Sequence, residues 1–401
     1  MRMKFNKTGQ LLLISAASLV AAGALSACAT LTVDFVYVTS ALAAGPNNYG
    51  QVDVFEINSE SGHMRQSPAS PFPSGGRNPV AEAVSSDDNN LYVVNEDDNT
   101  IVQFIIGNDG KLYPHYTANT PGIFPLAVSV AGTDLYVVNL YQPLPICSSA
   151  SPCPGSIASF PVHSDGSLGS PAVNAALSTA YWPLLAPASP NNIVSPTGVH
   201  AVQSDSFVYV TAYDNTANTG YVYAFASAGG VLTPLNGGVP YPAGIHPSAV
   251  TSDPTGTYLY VTDMAQNEIL AFTINSGALT PLSGSPFPAG GQPASIAVDA
   301  AGQFAVVANS QDATVATYSI RSGALTRIGS YATGLQPVAV GIDPNLNHFI
   351  FTANFLGNNV SGFQLNTTDG TLLNSQFSPF KANANPTAVA AIPHPVPPPK
   401  K

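Results

Sequence analysis

The chain has 401 residues, of which 45% are hydrophobic and only 8% are charged. This hydrophobic fraction excludes a disordered chain, and the low charge means that uncharged polar residues must form most of the surface. The formal net charge is −11, so the protein would repel a nucleic-acid backbone, and we expect no nucleic acid among its partners.

The first 28 residues have the pattern of a lipoprotein export signal. Three cations among the first seven residues precede an apolar run at 11–25, which is too short to favour a membrane-spanning helix. The run ends in a Leu-Ser-Ala-Cys sequence that resembles the bacterial lipobox, in which the cysteine is lipidated. We therefore predict a signal peptide at 1–27, a lipid anchor on Cys28 and a tether at 28–45. The protein would then be exported and attached to a membrane of the cell envelope; an ordinary cleaved signal is the alternative.

The rest of the chain repeats a unit of four short apolar segments. In the unit that begins at Pro247 these segments are 248–251, 258–262, 269–274 and 279–282, and turn-forming residues separate them. A proline followed by small and β-branched residues starts each unit, at Pro79, Pro125, Pro196, Pro247, Pro293, Pro337 and Pro386. Units of roughly 40–50 residues with four strands are typical of the blades of a β-propeller.

The first and last units are incomplete in complementary ways. Residues 35–39 match the second strand of a blade, whereas residues 386–392 match an innermost strand with nothing after it. We therefore predict that the C-terminal strand pairs with the N-terminal blade and closes the ring, which removes exposed sheet edges. The predicted fold is all-β: one seven-bladed β-propeller of four-stranded antiparallel blades at 35–392, followed by a proline-rich tail at 393–401.

The third unit is longer than the others because it carries two insertions, at about 140–154 and 175–195. The first contains Cys147 and Cys153, and the second contains Trp182, the only tryptophan of the chain. An exported compartment favours cysteine pairing, so we predict a Cys147–Cys153 disulfide.

Because each blade has four antiparallel strands, the connections between blades, the loops after the second strands and both insertions should lie on the same face of the ring. We expect a polar channel mouth on this face that binds a small molecule or a glycan. Its predicted members are Asn78, Glu82, Asn95, Asn139, His246, Asp263, Asn309 and Asn354. The alternative is that these side chains only hold loops by bonding nearby backbone. Clusters with metal-ligand spacing are missing from the sequence, so we predict no metal and no cofactor.

Two segments resemble the lactonase family of seven-bladed propellers. They are LYVVNEDDNTIVQF at 91–104 and FIFTANFLGNNVSGF at 349–363, and turns of the type Asp-Pro-x-Gly accompany them. The family includes bacterial 6-phosphogluconolactonase and fungal muconate cycloisomerase, and the related Tyr-Val-Thr-Asn surface propellers share the same strand. The resemblance covers residues 35–392 and implies the propeller fold and, for the enzymes, lactone hydrolysis or cycloisomerisation.

The resemblance also implies a site in the blade that begins at Pro79. Family enzymes carry a Gly-Pro-Arg-His innermost strand and an Asn-Glu pair in the same blade. Here Val80 and Ala81 occupy the Arg and His positions, and Glu96 matches the acidic residue of the pair. Glu96 is therefore the candidate general base, and Arg77 is the candidate cation for the developing oxyanion.

Glu82 stands at a strand position where the other units have valine or isoleucine. A carboxylate at a packed position should be paired or have a raised pKa, and an Arg77–Glu82 ion pair that locks one blade is the structural alternative to a catalytic role.

The sequence leaves two function classes open. One is a lactone hydrolase, and the other is a non-catalytic envelope propeller that binds a glycan, a peptide or another envelope protein.

Overall fold

A computed structural model describes residues 32–58, 60–187, 189, 192–202, 206–344 and 349–393. The predicted signal peptide, Cys28 and the tail from residue 394 lie outside the described residues. Within the described ranges, the strands form seven antiparallel sheets and one short 3₁₀ helix, Asn236–Gly238, follows a strand. Among these residues, no helix has the length and apolar character needed to span a membrane.

The seven sheets are the seven predicted blades, and each follows the chain from the centre of the ring outward. Blade one contains β1 (Thr32–Ala44), β2 (Tyr49–Asn58), β3 (Met64–Gln66) and β4 (Phe72–Pro73). Blade two contains β5 (Pro79–Val84), β6 (Asn90–Asn95), β7 (Thr100–Ile106) and β8 (Leu112–Asn119). Blade three contains β9 (Ile123–Ala131), β10 (Asp134–Tyr141), β11 (Ser156–Pro161) and β12 (Trp182–Pro183). Blade four contains β13 (Val194–Ala201), β14 (Phe207–Asp214), β15 (Thr219–Ala228), β16 (Val231–Pro234) and β17 (Tyr241–Pro242).

The remaining blades repeat this arrangement. Blade five contains β18 (Pro247–Ser252), β19 (Tyr258–Asp263), β20 (Glu268–Asn275), β21 (Ala278–Pro281) and β22 (Phe287–Pro288). Blade six contains β23 (Pro293–Val298), β24 (Phe304–Asn309), β25 (Thr314–Arg321) and β26 (Ala324–Ala332). Blade seven contains β27 (Pro337–Ile342), β28 (Phe349–Asn354), β29 (Asn359–Leu365), β30 (Leu372–Asn374) and β31 (Phe380–Lys381). The last strand is β32 (Pro386–Pro393).

The ring closes as the sequence predicts. Strand β32 pairs antiparallel with β1, so that Ala390 lies opposite Tyr37 and Val389 lies opposite Val38. The innermost strand of blade one therefore comes from the C-terminus, while its other strands come from the N-terminus. Because β1 begins at Thr32, residues 32–44 belong to the first blade, and the predicted tether at 28–45 is wrong over that range.

Neighbouring blades are joined by a repeated contact between a tyrosine and a hairpin glycine. The tyrosine hydroxyl on the second strand of one blade donates to the glycine carbonyl of the next blade. These pairs are Tyr37–Gly110, Tyr92–Gly166, Tyr209–Gly277 and Tyr260–Gly323, at 2.8–3.1 Å. Each of these glycines has a positive φ, and a Cβ on Gly110 would lie 2.4 Å from the Phe35 ring. The buried core consequently lies between blades, where Phe35 and Tyr37 pack with residues of blade two.

The two insertions of blade three have different positions. The first contains the predicted Cys147–Cys153 disulfide, which is confirmed, and both cysteines pack with Tyr141. The second insertion surrounds β12 and packs against the outer strands of blade four, where the Tyr223 hydroxyl donates to the Leu185 carbonyl at 2.8 Å. It therefore reaches the perimeter of the ring, although the sequence placed it only on the face of the channel mouth.

Candidate functional site

The mouth face is the end of the ring where the innermost strands begin, at or within two residues of the repeat prolines. Glu96 lies on this face, because Asn95 at the end of β6 pairs with Pro79 at the start of β5. The Glu96 backbone N–H donates to the Asn78 carbonyl at 2.9 Å, and the Asn78 side-chain amide donates to Glu96 Oε2 at 2.7 Å. Asn78 has a φ of +50°, a left-handed conformation that asparagine tolerates, and this turn directs its amide towards Glu96.

The environment of Glu96 disfavours its charged form. Burial raises the pKa of this half-buried carboxyl, and the nearby charge of Asp97 raises it further. Of these two causes, burial has the larger effect. A carboxylate whose pKa moves towards neutral pH becomes a stronger base while it stays available to accept a proton.

Arg77 lies on the same loops but is held by a different partner from the one predicted. Its Nη2 lies 2.6 Å from Asp98 Oδ1, and its backbone N–H donates to Asp98 Oδ2 at 2.7 Å. This pairing lowers the pKa of Asp98. The predicted Arg77–Glu82 ion pair is wrong, because Arg77 pairs with Asp98, whereas the Glu82 carboxyl bonds Thr39 and the Ala390 backbone. The guanidinium remains exposed, with 51% of the side-chain surface open to solvent.

Glu82 lies against blade one, in the contact between blades, instead of at the open mouth. Its Oε2 accepts a hydrogen bond from the Thr39 hydroxyl at 2.5 Å, and the Ala390 backbone also bonds the carboxyl. Oε1 is buried and has no hydrogen-bond partner. Burial raises the pKa of Glu82 to about 7, against the two hydrogen bonds, which lower it. Thr39 and Ala390 belong to β1 and β32, so Glu82 joins blade two to both halves of the closing blade.

The predicted ring of polar side chains at the ends of the second strands is buried. Asn95, Asn139, Asp263, Asn309 and Asn354 all have no exposed surface. Each packs against a glycine that lies three residues before the repeat proline of its own blade, and the pairs are Gly76–Asn95, Gly122–Asn139, Gly244–Asp263, Gly290–Asn309 and Gly334–Asn354.

Two of these side chains bond the backbone that they pack against. The Gly290 N–H donates to Asn309 Oδ1 at 3.1 Å, and the Ile245 N–H donates to Asp263 Oδ2 at 2.6 Å. The geometry therefore favours the alternative in which the ring holds the loops between blades, since buried side chains present no surface to a ligand.

The mouth face also carries aromatic side chains that were not predicted from the sequence. The His246 ring packs on Tyr213 with centroids 4.0 Å apart, and burial lowers the pKa of His246. On blade three, Phe124 packs on Tyr141 with centroids 5.9 Å apart. Tyr141 is the last residue of β10 and Tyr213 is the last but one of β14, and that position at the end of a second strand would have identified them. The connections and second strands of blades three to five thus place aromatic side chains on the mouth face.

The opposite end of the channel contains a cavity of about 550 Å³, formed by the ends of the innermost strands. His200 Nε2 lies 2.9 Å from Ser252 Oγ in this cavity, and burial lowers the pKa of His200 to about 4, so the ring is neutral at physiological pH. Glu96 and Arg77 do not line the cavity. Across the described ranges, no group of three or more His, Cys, Asp or Glu side chains has an arrangement that would hold a metal ion.

Comparison with known proteins identifies the fold independently. The family profile described as a lactonase with a seven-bladed β-propeller matches residues 35–390. No curated protein matches the chain in sequence.

The chain is similar in structure to several solved propellers. A proposed 6-phosphogluconolactonase from Bacteroides fragilis superimposes with a TM-score of 0.70 and is 18% identical, covering 90% of this chain and 99% of its own. The periplasmic gluconolactonase of Pseudomonas aeruginosa superimposes with a TM-score of 0.69 and is 19% identical, covering 91% of this chain and 100% of its own. A hypothetical selenium-binding protein from Sulfolobus tokodaii gives a TM-score of 0.60 at 10% identity, with 90% and 94% covered. At these identities, the similarity shows a common fold and leaves the chemistry to the site itself.

Proposed function

We propose that this chain, which belongs to the lactonase family of seven-bladed β-propellers, hydrolyses a lactone on its mouth face with Glu96 as the general base. The observation that carries this proposal is the Glu96 carboxylate, which is half-buried, is oriented by Asn78 and has a raised pKa. The activity named for the Pseudomonas aeruginosa relative supports the choice of substrate class.

In the proposed reaction, Glu96 takes a proton from a water molecule that attacks the lactone carbonyl carbon. The carbonyl oxygen becomes an oxyanion, and the exposed guanidinium of Arg77 stabilises it. When the tetrahedral intermediate collapses, the ring C–O bond breaks, and the departing alkoxide takes the proton from Glu96. The product is the open-chain hydroxy acid. Asp98 acts as a positioning residue, because it fixes Arg77 through both the side chain and the backbone.

Local charge favours an uncharged sugar lactone over a phosphorylated one. The loop after β6 carries three carboxylates in a row, at Glu96, Asp97 and Asp98. Arg77 is the one cation described beside them, and it pairs with Asp98. A phosphate group would therefore enter a field that is net negative, because three carboxylates stand against one guanidinium among these four residues. We infer that gluconolactone-type substrates are preferred over their 6-phosphates.

We also propose that the protein acts at the cell envelope as a lipoprotein anchored through Cys28. The Cys147–Cys153 disulfide supports this location, because disulfides persist in exported compartments. The anchor would leave the propeller free to meet a small diffusing substrate.

Rates of lactone opening, measured against the spontaneous reaction, test the enzymatic proposal. The protein should accelerate hydrolysis of glucono-δ-lactone, and Glu96→Gln should lower the turnover by about 10²–10⁴-fold, the usual contribution of a general base. Asp97→Asn is the matched control, because it removes a neighbouring exposed carboxylate and should leave most of the rate. If several lactones open no faster with the protein than without it, the proposal fails, and the non-catalytic envelope propeller is the account that survives.

A further inference from the structure

A second cavity lies on the perimeter of the ring, away from the channel. It has a volume of about 480 Å³ and lies between the second insertion of blade three and the outer strands of blade four. Trp182, Tyr223 and Phe225 form its inner surface, and all three side chains are buried. One wall consists of residues between 174 and 185, and the other consists of residues between 231 and 240.

Blade three builds this cavity from residues that the other blades lack. Strand β12 pairs with the start of β11 as β22 pairs with the start of β20, so Trp182 occupies the position of Phe287 in blade five. From Leu168 to Trp182 there are 182 − 168 = 14 positions, whereas the equivalent step from Leu279 to Phe287 has 287 − 279 = 8. The additional residues before Trp182 supply one wall, and the hydrogen bond from Tyr223 to the Leu185 carbonyl fixes the insertion to blade four.

The chemistry of the lining restricts what can bind. None of the described lining residues carries a charge, although the whole chain has a net charge of −11. The rim adds exposed apolar surface, because Leu177, Leu185, Val231 and Val239 are each about half exposed. The Tyr223 hydroxyl already donates to Leu185, which removes it as a donor to a ligand. A charged or strongly polar molecule would lose hydration here without gaining partners.

We propose that this cavity is a binding site for a small, uncharged, largely apolar molecule. Its volume lies in the range of small-molecule sites, and its aromatic inner surface with few polar groups matches their usual composition. The site is separate from Glu96 and does not depend on the proposed lactone hydrolysis. The insertion converts a perimeter groove between two blades into a partly enclosed site, which accounts for the presence of a tryptophan in this blade alone.

The single tryptophan makes the proposal directly testable. The uncharged probe N-phenyl-1-naphthylamine, titrated into the purified full-length protein, should bind saturably and quench Trp182 by energy transfer. Leu177→Asp and Val231→Asp place charges on the exposed rim and should each weaken binding at least tenfold. Leu335→Asp is the control, because Leu335 is also an exposed leucine, lies outside this cavity and should leave binding unchanged.

Three outcomes would overturn the proposal. The first is quenching that rises linearly without saturation, and the second is equal affinity in the rim variants and the control. The third is a Leu177→Asp protein that changes from dimer to monomer in sedimentation without any effect on the probe, since a second copy of the chain would then be the occupant. Circular dichroism of each variant separates loss of the site from loss of the fold.

Discussion

Replacing Glu82 with glutamine should stabilise the protein at alkaline pH and change its stability little at acid pH. In the native state, burial raises the pKa of Glu82 to about 7, from 4.5 for an unperturbed glutamate. Between these two values the native protein retains a proton that the unfolded chain has lost. The free energy of unfolding therefore falls as the pH rises through this window, and above it the cost of the buried charge is fully present.

The size of this cost follows from the shift. The difference of 7 − 4.5 = 2.5 pKa units corresponds to about 3 kcal/mol, because each unit is worth about 1.4 kcal/mol. Glutamine keeps the shape of the side chain and an oxygen that accepts from Thr39, but it carries no charge into the contact between blades one and two. At pH 8 the variant should therefore be more stable than the parent by about 3 kcal/mol, and at pH 4.5 by a small fraction of that.

Urea denaturation of both proteins at pH 4.5, 6 and 8 measures this difference. Groups that titrate equally in the two proteins cancel, so the comparison isolates residue 82. Glu60→Gln is the control for loss of a negative charge, because Glu60 is exposed. If the Glu82→Gln difference is the same at all three pH values, the carboxylate is not buried in the blade contact, and the account of the closure given above is wrong.

Three further predictions test the closure, the anchor and the buried ring. Deleting residues 386–401 should leave sheet edges unpaired and greatly reduce solubility, and a truncated protein that melts like the parent would contradict the closure. Cys28→Ser should abolish labelling with palmitate and release the protein from the membrane fraction, whereas unchanged labelling would refute the lipobox. Gly290→Ala should destabilise the protein by roughly 1–3 kcal/mol in urea denaturation, because the new Cβ would lie 2.5 Å from Asn309 Cγ. Adding Asn309→Ala to this variant should recover part of the lost stability. If the two losses simply add, the contact between residues 290 and 309 is not the cause.

The fold was predictable because its signals are local and repeated. The prolines at or near the start of the innermost strands and the hairpin glycines mark strand boundaries to within about two residues in each unit. The closure followed from counting strands at the two ends of the chain, and the pairing of β32 with β1 confirms it. The tyrosine-to-glycine contacts join residues more than sixty positions apart, so no local pattern reveals them.

The site was harder to predict because its contacts depend on the direction of side chains between blades. Arg77 and Glu82 are close in sequence, yet Arg77 lies in the loop before β5 and Glu82 lies within that strand, and Arg77 instead meets Asp98 from the next loop on the same face. Glu82 was correctly expected to be paired or shifted in pKa. Its partners come from β1 and β32, however, and only the closed ring brings those strands to blade two.

Comparison among the seven units separates residues that serve the fold from those that serve a site. The polar residue at the end of a second strand recurs in several blades, and in each it packs under the same glycine, so that position belongs to the architecture. Residues that occur in one blade alone need another explanation. Glu82 is explained by the closure, because it bonds Thr39 of β1 and the Ala390 backbone of β32. Glu96 and the insertion around Trp182 take no part in the closure. Glu96 and this insertion, each found in one blade alone, are therefore the best candidates for catalysis and for ligand binding.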